Sequence, residues 1–227
     1  SGLALLQCVL CYFYVIEPPP PPRPPPGSPP RQSMKRGQLI LSLMIGLIWP
    51  FCIAVWEVYT SLRLSQHYGW ENWKVGLYLC GLLSTVLPMT QIDLAARMSD
   101  QVGMKVFAAL PIVGYLLCFG YVPSSQSADM QALDVILFTY GCFFSLNALQ
   151  AGRGFNWSRT TKLAPLPKRQ FVLAINASIY MLGRFCGSMV APLLPGPNEF
   201  AGVLSGTCVV AVTMMVFFLD NEEIRSP

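Results

Sequence analysis

Apolar blocks of about twenty residues alternate along the chain with short polar islands, and none of the blocks shows the residue-by-residue alternation of a half-buried strand. A block of that length crosses the ~30 Å hydrocarbon layer of a bilayer as a helix. Helix is also the only open form that satisfies every backbone amide there, because water is absent and a strand would need barrel closure. Six full spans are predicted, over about 39–62, 74–96, 104–122, 131–151, 170–194 and 199–219. Prolines 50, 88, 111 and 192 are expected to bend several of them. The shorter apolar stretch LALLQCVLCYFYVI lacks a basic leader and a small-residue cleavage site, so residues 1–16 read as the end of a preceding helix. The expected organisation is then a Pro-rich linker at 17–38, a six-helix bundle at 39–219 and a tail at 220–227. The fold class is all-α and polytopic.

Composition agrees with that pattern. The 227 residues are 53% hydrophobic and 11% charged, against roughly a quarter charged in an ordinary soluble domain. Charge then orients the helices, because short cytoplasmic loops carry excess Lys and Arg. One set of loops holds Arg23, Arg31, Lys35, Arg36, Arg97, Lys105, Arg153, Arg159, Lys162, Lys168, Arg169 and Arg225, and the other holds Arg63 and Lys74. This bias puts the Pro-rich segment and the C-terminal tail in the cytoplasm, together with the sequon Asn156-Trp157-Ser158, which is expected to stay unglycosylated.

Residues 17–31, EPPPPPRPPPGSPPR, hold ten of the chain's twenty prolines and read as a stiff polyproline II spacer. A solvated linker is the favoured role, with docking of aromatic-grooved adaptor domains as the alternative. All eight cysteines (8, 11, 52, 80, 118, 142, 186 and 208) lie in apolar blocks and read as small hydrophobes. His67 is the one histidine, no CxxC pair occurs and no nucleophile has a nearby base. Neither a metal nor another cofactor is expected, and neither enzymatic activity nor nucleic-acid binding is indicated.

Between the second and third spans lies AARMSDQVGMKV, residues 95–106. Its small residue Ala96, acid Asp100, Gly103 and base Lys105 resemble the loop signature of the major facilitator superfamily, with Ala96, Gln101 and Met104 as departures. A glycine there permits a tight turn, and an acid can cap a helix start or pair with a base on a neighbouring helix. A preceding helix end, a long linker and six spans ending in a cytoplasmic tail look like the C-terminal half of a twelve-helix facilitator. VWEVYTSLRLSQHYGWENWKVGLYLCGLL and PKRQFVLAINASIYMLGRFCGSMVAP are similar to the branch holding SPX-domain vacuolar phosphate transporters and the lysosomal ceroid-lipofuscinosis facilitator. That likeness rests on Glu57, the turn Tyr68-Gly69-Trp70 and Arg184. It implies secondary transport, an endomembrane address such as vacuole or lysosome, and a missing N-terminal half or partner chain.

A charge at the centre of a span costs about 2.5–3.5 kcal/mol on insertion scales, so such groups face a bundle interior or a wet cavity. Glu57 and Arg184 are the two strong cases. At ~1.5 Å per residue they lie ~27 Å and ~21 Å along helices that start on the same side, so they are expected to meet. One reading is a structural ion pair. The working reading is a midplane site where Arg184 receives an oxyanion such as phosphate and Glu57 takes up a proton. Asn176 and Tyr180 share the Arg184 face at four-residue spacing, and Asn147 is a further candidate for the site. Gln91 and Gln150 are polar residues of the same kind, and Asp93 with Arg97 reads as a local pair. Gly183 with Gly187, and Gly202 with Gly206, are expected to pack helices closely. The function expected is alternating-access transport of a small solute such as an inorganic anion, in contact with membrane lipid. The alternative is a non-transporting scaffold or receptor-like subunit.

Overall fold

The computed structural model describes residues 36–86, 98–120, 128–165 and 168–223, and every regular element among them is helical. In chain order these are α1 Arg36–Leu62, α2 Asn72–Ser84, α3 Asp100–Leu117, α4 Ala128–Leu163, α5 Arg169–Val190 and α6 Pro197–Glu223. A π-helical turn, Arg63–His67, extends α1, and a single 3₁₀ turn, Ala191–Leu193, follows α5. Five of the helices, all but α2, are long and apolar enough to cross a membrane, which fits a multi-pass membrane protein. The expected helix end at 1–16, nearly all of the Pro-rich linker, Pro88, Gln91, Asp93, Ala96, Arg97, Arg225 and the second half of the 74–96 span lie outside the described residues.

Two boundaries differ from expectation. Helix α4 runs on past residue 151 to Leu163, through the stretch read as a cytoplasmic loop. Hydropathy marks where a helix leaves apolar surroundings, whereas the hydrogen-bond ladder continues wherever side chains can still pack. Asn156 is therefore a helical residue, 3% exposed, with its amide bonded to Ser42. Burial, whatever the side of the membrane, keeps a glycan off it. Pro192 sits in the 3₁₀ turn and ends α5 instead of bending it, while Pro50 and Pro111 do lie within α1 and α3.

Helix α1 is central: it packs on α4, α5 and α6, and Ile45, Trp49, Cys52, Ile53 and Trp56 are buried along it. Close approach builds the rest. In lipid no hydrophobic force drives helices together, so small residues that let backbones touch carry the association. A Cβ on Gly183 would overlap the Leu47 carbonyl oxygen, and one on Gly187 would overlap that of Phe51, which fixes α5 against α1. Gly114 and Gly141 do the same for α3 and α4, a pair the spacing rule missed because its members sit on different helices. Gly202 and Gly206, expected to pack likewise, have nothing described within 4 Å of such a Cβ. The expectation fails there because the α6 surface that packs inward carries Phe200, Leu204, Cys208 and Ala211 instead. Phe200 stacks on Tyr59 at 4.2 Å between ring centroids.

At the α2 end of the bundle, Arg63 in the π turn is buried and pairs with Asp134 of α4 at 2.8 Å, and Tyr68 donates to the same carboxylate. Burial first, and the bond to Asp134 after it, push the Tyr68 phenol above its ordinary value, so it stays protonated and donating through the physiological range. The turn beyond it depends on Gly69 at φ 66°, a left-handed conformation that glycine adopts without strain. Tyr68→Phe is expected to cost about 1 kcal/mol, the net worth of one hydrogen bond, read as a small fall in unfolding midpoint in detergent.

Candidate functional site

Helix α5 brings the first candidates together. Asn176, Tyr180 and Arg184 are spaced by four and lie along one face, and the glycine contacts at 183 and 187 hold that helix at van der Waals distance from α1. Arg184 consequently reaches Glu57, 127 residues away in sequence, and its Nη2 pairs with the Glu57 carboxylate. Arg184 Nη1 also donates to the Tyr180 hydroxyl at 3.4 Å.

The couple is not sealed. The Arg184 and Glu57 side chains are 37% and 26% exposed, whereas those of the Arg63–Asp134 pair are 5% and 11% exposed. An open cleft of about 380 Å³, lined by Glu57 with Trp56, Val58, Ser61, Leu79 and Leu83, approaches the carboxylate from the α2 side. On the other side Tyr180 is shared: its ring lies under the guanidinium of Arg153, 4.3 Å from the ring centroid. Arg153 also donates to Gln150 Oε1 at 3.3 Å. Its place here corrects its assignment to a cytoplasmic loop, and the cause is the continuation of α4.

Asn176, two turns from Arg184, is 3% exposed. Beside it Ser42 donates to Asn156 Oδ1 at 2.8 Å and meets Thr160 at 3.0 Å, tying α1 to α4. Asn147 stands apart from this group. Its amide donates to Thr85 Oγ1 at 3.0 Å and to the Phe143 carbonyl at 2.8 Å, so it joins α4 to the end of α2 and makes no hydrogen bond to Glu57, Tyr180 or Arg184. Residue type named it a candidate, but its angular position on α4 directs it to a different seam.

The loop motif forms a separate cluster at the opposite end of the bundle from Arg63. Ser99 caps α3 by accepting from the Val102 amide at 3.4 Å. Asp100, in the first turn, pairs with Lys162 of α4 at 2.7 Å and accepts from Ser158 at 3.2 Å. Of the two roles expected of this acid, capping a helix start falls to Ser99 and pairing with a base on a neighbouring helix is the one Asp100 takes. Gly103 is not in a turn. It lies inside α3, where a Cβ would stand 2.6 Å from the Phe155 ring, so the glycine serves packing against α4 and not chain reversal. Lys105 lies in the second turn of the same helix. Because Lys162 is 69% exposed, Lys162→Ala is expected to change stability by no more than about 1 kcal/mol, checked by thermal unfolding in detergent.

Two groups escaped the sequence reading. The Arg63–Asp134–Tyr68 cluster was hidden because Arg63 reads as a loop base, yet Asp134 within a predicted span was a usable signal. The Arg153–Tyr180 contact joins two helices with no local pattern to announce it. In comparisons with known proteins, no family model matches the chain, and neither does any curated protein or solved structure.

Proposed function

We propose that the chain is one six-helix half of a secondary transporter of the facilitator type, and that it moves a small oxyanion, with phosphate the leading candidate. One observation carries this reading: an arginine–carboxylate couple between α1 and α5 that stays about a third open on a bundle face otherwise rich in apolar side chains. An ionisable pair left open in hydrocarbon is costly, so such a face borders a wet path or a second helical bundle. That second wall would come from an N-terminal half or a partner chain, which also accounts for the exposed Phe185 and Met189 beside Arg184.

The chemistry follows from the couple. The planar guanidinium of Arg184 offers five donors, and its fork matches two oxygens of a tetrahedral anion. When an anion takes those donors, Glu57 loses its counter-charge and is free to bind a proton. Binding of anion and proton is thereby linked, and return of Glu57 to Arg184 resets the site. The gate at the other end is the Asp100–Lys162–Ser158 cluster, which joins α3 to α4. A vacuolar or lysosomal membrane belongs to the same proposal through the sequence resemblance.

The test is uptake into proteoliposomes of the full-length protein, comparing phosphate, chloride and a hexose at two pH values. Saturable phosphate flux that rises as external pH falls is expected, with no hexose flux. Absence of saturable flux for every solute would leave the scaffold reading in place.

A further inference from the structure

The geometry points to a second oxyanion subsite formed by Arg153, Asn176 and Tyr180, on the Asp100–Lys162 side of the Glu57–Arg184 pair, with Tyr180 joining the two. This inference rests on the transport reading above and adds a path to it.

Charge balance is the first argument. Arg184 has Glu57, Arg63 has Asp134 and Lys162 has Asp100. Arg153 has no carboxylate partner among the described residues: its contacts are the Tyr180 ring and the Gln150 amide oxygen. A ring face stabilises a cation without using its in-plane N–H groups, so most of the Arg153 fork remains available to an anion.

Asn176 supplies the second argument, and it is independent of charge. Its side chain is 3% exposed, makes no hydrogen bond to another described residue, and keeps its remaining surface toward a small cavity. An amide so placed can bond to whatever enters that cavity. Asn176 lines a small cavity with Arg153, Tyr180 and Asn156, beneath Gly46. A Cβ on Gly46 would stand 2.8 Å from Asn176 Oδ1, so the glycine keeps this space open. Asn156 is held in place by its two bonds to Ser42. The cavity admits about 10 Å³, room for one water or one anion oxygen. A tetrahedral anion therefore sits at its mouth, one oxygen directed to the Asn176 amide and others on the Arg153 fork.

Tyr180 makes the two positions neighbours. Its hydroxyl accepts from Arg184 and its ring supports Arg153. From Asn176 to Arg184 is eight residues, ~12 Å along the helix. An anion entering from the Asp100–Lys162 end meets Arg153 first and passes along α5 to Arg184. Shared oxyanion chemistry allows two sources, soluble phosphate or a lipid headgroup, and the assignment here is to the soluble ion.

The test uses the full-length protein in proteoliposomes with radiolabelled inorganic phosphate as probe, offered separately from each side. Arg153→Gln is expected to raise KM about tenfold from the Asp100–Lys162 side, the size of one charge-assisted hydrogen bond. From the other side KM should stay within about twofold, and Arg153→Lys should restore part of the loss. Asn176→Asp, which places a negative charge beside Arg153, should act in the same direction and serves if Arg153→Gln folds poorly. Unchanged KM on both sides, or an equal rise on both, overturns the subsite. A defect that disappears when anionic lipid is omitted overturns it too, by showing that Arg153 reads headgroups. Phosphate binding to the detergent-solubilised protein, followed by tryptophan fluorescence through Trp157 at the rim, separates the two claims. Binding retained in Arg184→Gln and lost in Arg153→Gln supports the subsite even without flux. Loss of flux in Arg184→Gln with wild-type behaviour in Arg153→Gln removes the subsite and leaves the transport reading standing.

Discussion

Replacing Arg184 with alanine is expected to lower phosphate flux by about a hundredfold or more. Each charge-assisted hydrogen bond is worth about 1.5–3 kcal/mol, and losing two from a bidentate contact exceeds two factors of ten. The competing explanation is that Arg184 merely neutralises Glu57. Removing one member of a buried pair costs about 3–5 kcal/mol, and this pair, open on one side, should cost less. Stability alone therefore does not separate the two ideas, but the double variant Glu57→Gln/Arg184→Gln does. A purely structural pair predicts that two neutral amides fold and carry phosphate normally, whereas a handling site predicts a folded protein with no flux. Arg184→Lys keeps the charge without the fork and should recover only part of the rate. Glu57→Gln should flatten the pH dependence, since the group that takes up the coupled proton is gone. Normal flux in the double variant would leave transport standing and end the assignment of substrate handling to this pair.

The second large effect is structural. Gly187→Leu should prevent α5 from seating on α1, because even the first carbon of the new side chain overlaps the Phe51 carbonyl and stands 2.9 Å from Ala54 Cβ. Overpacking a core costs about 1–3 kcal/mol when side chains can shift. A backbone oxygen cannot step aside, so the penalty should lie at or above the top of that range. Gly183→Leu meets the Leu47 carbonyl and, at 3.1 Å, Pro50, and should behave alike. Gly202→Leu and Gly206→Leu, with nothing described within 4 Å, should be tolerated. The readout is the fraction of monodisperse protein by size exclusion after a heat step. Equal tolerance at all four glycines would mean that the α1–α5 seam is not held by close approach. Because Glu57 and Arg184 sit on that seam, a folded Gly187 variant should also lose flux.

The chain's own pattern determined a good deal. Apolar blocks of bilayer length can persist only as helices, so α1, α3, α5 and α6 fall near their expected positions, as does the start of α2. The two charges that stand out against those blocks, Glu57 and Arg184, do meet, because both helices start at the same end and nearly equal rise sets the two residues at similar depth. Tyr180 joins them through the 3.6-residue repeat, and Asp100 finds its base on a neighbouring helix.

What only the tertiary structure decided is angular and non-local. Sequence spacing gives depth along a helix but not the direction in which the helix is turned. Asn147 therefore bonds to Thr85, and Gly202 and Gly206 face no described neighbour. Gly103 packs on Phe155 because α3 and α4 cross there, a contact that no single-helix periodicity encodes. The same holds for the Arg63–Asp134 pair, joined across 71 positions by the π turn that carries Arg63 inward. Arg153 reaches Tyr180 because α4 outruns its apolar block: helix propagation depends on packing and backbone bonding, while hydropathy registers only the surrounding solvent.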